Sequence, residues 1–567
     1  MLLLAAIAVP LLCALLAFRG RPAWLLRGLM PAAVLPALSL AVTSNGDEAL
    51  ALPYLFYGAV WSLDELRRLF LLLTAVLWGA AGLYAAGYMG SDRLRRYCIC
   101  WLLTLAGNLG LILSADLPGF YAFFALMTFA AYGLVVHDGD RPSRHAGRVY
   151  LIMALLGEML LLVGLLLASR AAGSLMLADL PPALAAAPNG PLMMGLLWLG
   201  FGVKAGLPLL HFWLPLAHPV APAPASAVLS GAMIKAGLLG WLLVLPLGEP
   251  IAAYWGMLIA AVGAIAALGG AAIGLCQRTP KAVLAYSSIS QMGLMTVLLA
   301  AALGEPRQAA VLVTVIALYA LHHGLAKGAL FLATGVKLPA NAGSRMLVWI
   351  LVVLPALSLA GLPFTSGAVA KLLAKSALPP SPWWGVVLTT GAVATTLLAL
   401  RFLHCMRGSI KEGTNPQWVA PGWLLCTGAA LLGVWWMPWT TTPGWDAAAI
   451  LGLILPAWGK AWSLAWPLAA GGLIGGAAWR IGRRPPPIPS GDGIVWFAAL
   501  TRYGAGSAKR AAAYMGSIGP GAVDWMPWTA RLEHLQRWGE IGDDGACREA
   551  GLVFLVFAAL IAALLFW

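Results

Sequence analysis

The sequence predicts an all-α polytopic membrane protein of about sixteen transmembrane helices, counted at ~20 apolar residues per span. Three observations lead there. The 567 residues are 61% hydrophobic and only 10% charged, with a mean hydropathy of +0.87; a soluble domain carries about 25% charged residues. Apolar runs long enough to cross a bilayer recur from end to end. Hydrocarbon offers no partner for backbone polar groups, so such runs must be helices, and the short alternating segments of a barrel do not occur. The third observation is the placement of the basic residues, which alternates with the spans.

In chain order the spans fall near 1–18, 28–44, 65–89, 97–114, 117–136, 146–168, 192–211, 223–245, 251–275, 282–303, 308–335, 346–376, 383–406, 421–438, 460–480 and 550–567. Arg19, Arg21 and Arg27 follow the first. Arg93, Arg95 and Arg96 follow the third, and Arg141, Arg144 and Arg148 the fifth. Arg278 and Lys281, Lys337 and Arg345, Arg407 and Lys411, and Arg480, Arg483 and Arg484 continue the pattern. All these loops share one parity, so they are assigned to the cytoplasm and both termini to the outside. The opposite loops carry Asp47, Glu48, Asp116, Asp179, Glu249 and Asp446. The first run lacks a basic leader and a small-residue cleavage site, and reads as a retained span.

Between the last two spans lies a polar-enriched segment, 485–549, opening on the proline-rich stop "RRPPPIPSGDG". Its Trp, Phe and Leu mixed with Arg and Lys at helical spacing predict a stretch lying along the membrane surface or on a partner subunit. The net charge of +14 follows from the cytoplasmic loops rather than from nucleic-acid binding. The seven cysteines are scattered; no metal, haem or iron–sulfur spacing appears, and no cofactor is expected.

The informative residues are ionisable groups inside spans: Glu158, Lys204, Lys235, His322, His323, Lys327 and Lys371, with His211 just beyond the seventh span. A charge at the centre of a span costs roughly 2.5–3.5 kcal/mol on insertion scales, so each needs a compensating use. Lys375, near a span end, is free to snorkel. Removing an amine from water favours its neutral form and a carboxylate beside it restores the charge, so a buried lysine with a movable acid is a switchable proton store. Tyr319, His323 and Lys327 share one helix face, a row that can pass protons through water. No nucleophile triad, carboxylate pair or phosphate loop points to hydrolysis or group transfer. "KAGLP" (204–208) and "LAGLP" (359–363) place Gly and Pro deep inside apolar runs, where they break helices and free backbone groups.

One run, "GVKAGLPLLHFWLPLAHPVAPAPASAVLSGAMIKAGLLGW" (202–241), resembles the signature of the antiporter-like, proton-conducting subunits of respiratory complex I, group 4 membrane-bound hydrogenases and Mrp-type cation/proton antiporters. "LYAAGYM" (83–89), "RTPKAVLAYSSISQMG" (278–293), "HGLAKGALFLATG" (323–335) and "LAGLPFTSGAVAKLL" (359–373) match in order, over roughly 60–410. The resemblance implies a core of about fourteen helices with two inverted repeats of roughly five helices each, both holding a broken helix. It divides the chain into N-terminal helices (1–96), a first repeat (97–245), a second repeat (246–410), C-terminal core helices (411–484), a lateral amphipathic segment (485–549) and a terminal anchoring helix (550–567). Lys204 matches the broken-helix lysine, Lys235 that of the next helix, His323 and Lys327 the pair of the second repeat, and Lys371 the terminal lysine. Three positions depart from the pattern. Ala125 stands where the family carries a fifth-span glutamate, Tyr319 where it carries an upstream histidine, and Phe364 where it carries a second proline. Glu158, the only carboxylate inside an early span, is the expected substitute partner for Lys204.

The resemblance implies an ion-translocating subunit of a multi-subunit complex in a prokaryotic plasma (inner) membrane. It would move protons, with sodium-for-proton exchange left open, along a mid-membrane Lys/His/Glu line. Its expected partners are other membrane subunits, homologous antiporter-like subunits among them, and the lipid bilayer. Two alternatives stay open: a mainly structural subunit with a non-conducting first half-channel, and an energy-coupling subunit of an inorganic-carbon uptake system.

Overall fold

A computed structural model describes residues 1–44, 47–56, 58–249, 252–433, 458–481 and 488–489. The expected lateral segment, apart from Ile488 and Pro489, and the expected last span lie outside them. Helices dominate. In chain order they are α1 (Leu2–Phe18), α2 (Ala23–Ala32), α3 (Leu35–Thr43), α4 (Glu65–Tyr88), α5 (Leu94–Leu113), α6 (Leu117–Val135), α7 (Arg141–Ala172), α8 (Leu180–Ala186), α9 (Gly190–Ala205), α10 (Trp213–Val220), α11 (Ala223–Val228), α12 (Ile234–Val244), α13 (Ala252–Leu275), α14 (Pro280–Gly304), α15 (Ala309–Ala333), α16 (Ala342–Ala360), α17 (Ser366–Ala377), α18 (Pro382–Ser409), α19 (Val419–Leu432) and α20 (Trp458–Arg480). Among the described residues, eleven helical segments are long and apolar enough to cross a membrane, and Leu2–Phe18, Gly190–Ala205 and Val419–Leu432 are shorter apolar helices.

Polar caps set the helix starts. Asp64, Asp116 and Asp140 accept the amides of Arg67, Gly119 and Ser143 at 2.7, 2.7 and 2.8 Å, each satisfying an orphan donor of a first turn. The Ser143 hydroxyl and amide hold the exposed Asp140 carboxyl below the usual carboxylate range. The second expected span is two helices rather than one, with α2 ending at Ala32 and α3 starting at Leu35; Pro31 and Pro36 remove donors on either side of the join.

The all-α expectation misses one element. Strands β1 (Glu48–Leu52) and β2 (Ala59–Leu63) form an antiparallel hairpin, paired Glu48 to Leu63 through Leu52 to Ala59. The "AVWSL" of β2 buries alternate residues, a period-two pattern that a span count set by hydropathy passes over. The hairpin is tied to the turn before α6, where the Asp116 carboxylate accepts Val60 N at 2.9 Å. That turn pairs in its own right with the α7–α8 connection: Leu117 N to Leu175 O at 2.8 Å, and Leu177 N to Ala115 O at 2.9 Å.

The loops of the other parity contact one another. Arg27 donates to Met89 O and Arg95 to Phe18 O. Arg93 and Arg96 both donate to His137 O, Arg401 to Gln277 O, and Arg345 pairs with Glu412 at 2.7 Å. The basic loops therefore gather with one another, as the alternation along the chain requires.

Glycines bring the helices that matter close together, the usual device where lipid gives helices no hydrophobic reason to associate. A Cβ on Gly200 would lie 2.9 Å from Leu161 N, and one on Gly157 would lie 3.0 Å from Val203 Cβ, so α7 and α9 nearly touch. Between α11 and α12 the chain makes a π turn, Leu229–Met233. Gly231 in that turn and Gly324 in α15 meet backbone to backbone: a Cβ on either would fall within 2.7 Å of the other's carbonyl oxygen.

Candidate functional site

The two expected helix breaks exist and share one backbone. At the first, α9 ends on Gly206 with φ +80°; at the second, α16 ends on Gly361 with φ +103°. Gly206 N and Leu207 N both donate to Gly202 O, and Gly361 N and Leu362 N both donate to Leu357 O. The bonds from Leu207 N and Leu362 N are the six-to-one bonds of a Schellman motif, which needs the left-handed conformation that glycine adopts freely; Gly361 N completes the motif by also donating to Ser358 O at 2.9 Å, whereas at the first break the matching Val203 O accepts from Trp213. Three residues past each glycine the chain turns left-handed again, at Leu209 (φ +67°) and Phe364 (φ +65°), although a bulky side chain resists that conformation. The departure from the second proline falls on this strained position.

Lys204 lies two residues before Gly206 and is buried. Its amine donates to the Thr128 hydroxyl at 2.8 Å and sits over the rings of Phe124 and Tyr150, 5.4 and 5.7 Å from their centres. Thr128 is one helical turn beyond Ala125 on α6, so where a glutamate is missing a hydroxyl receives the amine from the same face. Glu158 of α7 is buried too. It lines, with Lys204, Tyr150 and Trp213, a small cavity of about 10 Å³, and no direct ion pair joins acid and amine. The close approach of α7 and α9 at Gly157 and Gly200 puts them on one wall. Trp213, across the break, donates its indole N–H to Val203 O at 2.8 Å and satisfies a carbonyl of the last turn of α9.

Lys235 and Lys327 belong to one hydrogen-bonded cluster. The Lys235 amine donates to Ser230 O in the π turn at 2.8 Å. The Ser230 and Ser288 hydroxyls are 2.7 Å apart, Ser288 donates to Leu284 O at 3.0 Å, and Lys327 donates to that same carbonyl at 2.9 Å and to the Ser287 hydroxyl. His323 is fully buried between these lysines, its electrostatic neighbours being Lys235, Lys327 and His322; neither ring nitrogen has a hydrogen-bond partner among the described residues. His211, in the loop of the first break, faces Tyr286 of α14 with ring centres 6.2 Å apart.

At the second break the Lys371 amine donates to Ala360 O, the last residue of α16, at 2.6 Å. His322 is an electrostatic neighbour of Lys371 and packs on α17, where a Cβ on Gly367 would meet His322 Nε2 at 2.8 Å. Lys371, Lys375 and Tyr319 line a second small cavity of about 20 Å³. Tyr319 donates to Gln291 Oε1 at 2.8 Å, and Gln291 donates to the Thr395 hydroxyl at 2.8 Å. Sequence reasoning missed Thr128, Ser230, Ser287, Ser288 and Gln291. Their signal is the hydroxyls and the amide within spans, most plainly in "AYSSISQ" (285–291).

Comparison with known proteins identifies the family and the fold. The family model described as "NADH:quinone oxidoreductase/Mrp antiporter, TM" matches residues 114–397. Hydrogenase-4 component B of Escherichia coli is 32% identical over 347 residues, 58% of this chain and 50% of that protein, so the chain spans about half the length of that relative. NADH-quinone oxidoreductase subunit N of Desulforudis audaxviator is 30% identical over 417 residues, 66% of this chain and 80% of the relative. A chain of the Mrp complex from Dietzia shares the fold, with a TM-score of 0.71 at 23% identity, covering 96% of this chain and 64% of that one.

Proposed function

Because the chain belongs to the NADH:quinone oxidoreductase/Mrp antiporter transmembrane family, we propose that it is an ion-translocating subunit of a multi-subunit membrane complex. It moves protons along a line from Glu158 and Lys204 through Lys235, His323 and Lys327 to His322 and Lys371. One observation carries the reading: the buried amines of Lys235 and Lys327 are linked through serines across α11–α12, α14 and α15, with His323 buried beside them, and among the described residues no carboxylate neutralises them. Uncompensated buried charge is too costly to persist as packing and marks ion pathways and proton relays in membranes. The Glu158–Lys204 pocket supplies the acid at one end. Approach of the two groups favours their charged forms and separation favours their neutral forms, so the pair exchanges a proton as the distance changes.

The partners of such a subunit are the other membrane proteins of its complex, as the names of its relatives indicate for them. The basic loops face the cytoplasm of a prokaryote, with both termini outside. One observation favours a second reading, the structural subunit: Ala125 leaves α6 without its acid. The deciding experiment reconstitutes the intact complex in vesicles and follows internal pH with a dye, with and without sodium. Wild type acidifies faster than Lys327→Met under the translocation reading; equal rates support the structural subunit.

A further inference from the structure

We propose that Asp138, Lys281 and His218 form a proton inlet joining the end of the bundle that carries the basic loops to Lys235 and Lys327. The inlet rests on the translocation reading above and deepens it. His218, in α10, is fully buried, and among the described residues both its ring nitrogens lack hydrogen-bond partners. Its ring stacks on Phe331 with centres 4.6 Å apart. An imidazole held there without partners costs stability that an apolar residue would not. Lys281 on one hand and Lys327 and Lys235 on the other are the charges that act on it, and Phe331, on which its ring stacks, lies one turn beyond Lys327 on α15.

The outer half of the route is equally specific. Lys281, at the start of α14, is partly exposed and donates its amine to Ala221 O at 2.6 Å. The Ser226 hydroxyl bonds that same carbonyl and His218 O at 3.3 and 3.1 Å. The turn from His218 to Ala221 thus holds the imidazole at one end and the amine at the other. The acid whose charge acts on Lys281 is Asp138, on the exposed turn after α6. Tyr88 stands beside both the Asp138 carboxylate and the Ala223 amide. Asp138 and Lys281 come from two loops of the same parity, and both lie on the basic-loop end. Polar groups therefore run from an exposed carboxylate, through a largely buried amine, to a buried imidazole and the central lysines.

The competing role for Lys281 is a simple cap on the carbonyl that closes α10. Lys281→Arg separates the two, since a guanidinium keeps the charge and the donor to Ala221 O but does not give up a proton. The measurement is proton flux through the reconstituted complex, with Lys327→Met as reference. If wild type does not exceed that reference, the translocation reading itself fails. If it does, Lys281→Arg is expected to assemble normally and to lose flux to the level of Lys327→Met. His218→Ala is expected to lose flux as well, and to regain it when imidazole is added to the compartment facing the basic loops but not to the other. Wild-type flux in Lys281→Arg, or imidazole rescue that is equal from both sides or absent from both, overturns the proposal; Lys281→Arg decides alone if His218→Ala fails to assemble.

Discussion

At the first break Lys204 stands two residues before its left-handed glycine, and its amine faces a hydroxyl, two aromatic rings and a pocket shared with Glu158. At the second break Lys371 stands ten residues after the glycine, and its amine is bonded to the terminal carbonyl of the broken helix. The glycine, the paired amides and the second left-handed residue are the same in both. One backbone device thus serves two uses. It holds a lysine beside a small cavity and a carboxyl group in one place, and it makes a lysine part of the break in the other. The two breaks differ in which limb carries the lysine and in whether its amine bonds a side chain or the backbone.

The largest expected effect separates the two lysines. Methionine nearly preserves the volume and removes the charge, a change that is often neutral for stability. Lys204→Met should abolish proton flux with the thermal unfolding of the subunit unchanged, because Thr128 still donates to Phe124 O. Lys371→Met should abolish flux and also destabilise by about 1–3 kcal/mol, the cost of an orphaned buried carbonyl at Ala360. Equal thermal behaviour of the two variants would break the comparison.

A smaller effect is expected from the wiring between the breaks. Ser288→Ala removes the hydroxyl between Ser230 and Leu284 O but leaves both lysines, so flux should fall several-fold and not vanish. Trp213→Phe removes the indole bond to Val203 O; it should cost about 1 kcal/mol in unfolding measurements, with no counterpart at the second break, where Lys371 does the capping. The smallest effect tests the shared backbone itself. Leu209→Gly and Phe364→Gly should each stabilise by about 1 kcal/mol through relief of left-handed strain, and gains of unlike size would argue that the two turns differ.

Much of this was legible in the sequence. Gly206 and Gly361 inside apolar runs announced the breaks, the buried lysines announced their own importance through their insertion cost, and the alternation of arginines foretold which loops meet. The hairpin at 48–63 was not legible, because in a chain this apolar a short alternating strand has little contrast with its surroundings. The serines were invisible for a different reason: a hydroxyl costs little in a helix, where it bonds the carbonyl one turn back, so it carries no compositional alarm. Glu158 was singled out by its isolation, and its neighbourhood with Lys204 depends on glycines, Gly157 and Gly200, whose role is apparent only once α7 and α9 are packed.

The central claim is that Glu158 stands in for the acid that Ala125 lacks, and the most direct test is proton flux through Glu158→Gln beside Lys204→Met in the reconstituted complex. The account predicts that both fall to the leak of protein-free vesicles, and that Ala125→Glu, placed one turn from Thr128, restores flux in the Glu158→Gln background. Wild-type flux in Glu158→Gln while Lys204→Met is inactive would contradict it, and would mean that the first break moves protons without a carboxylate.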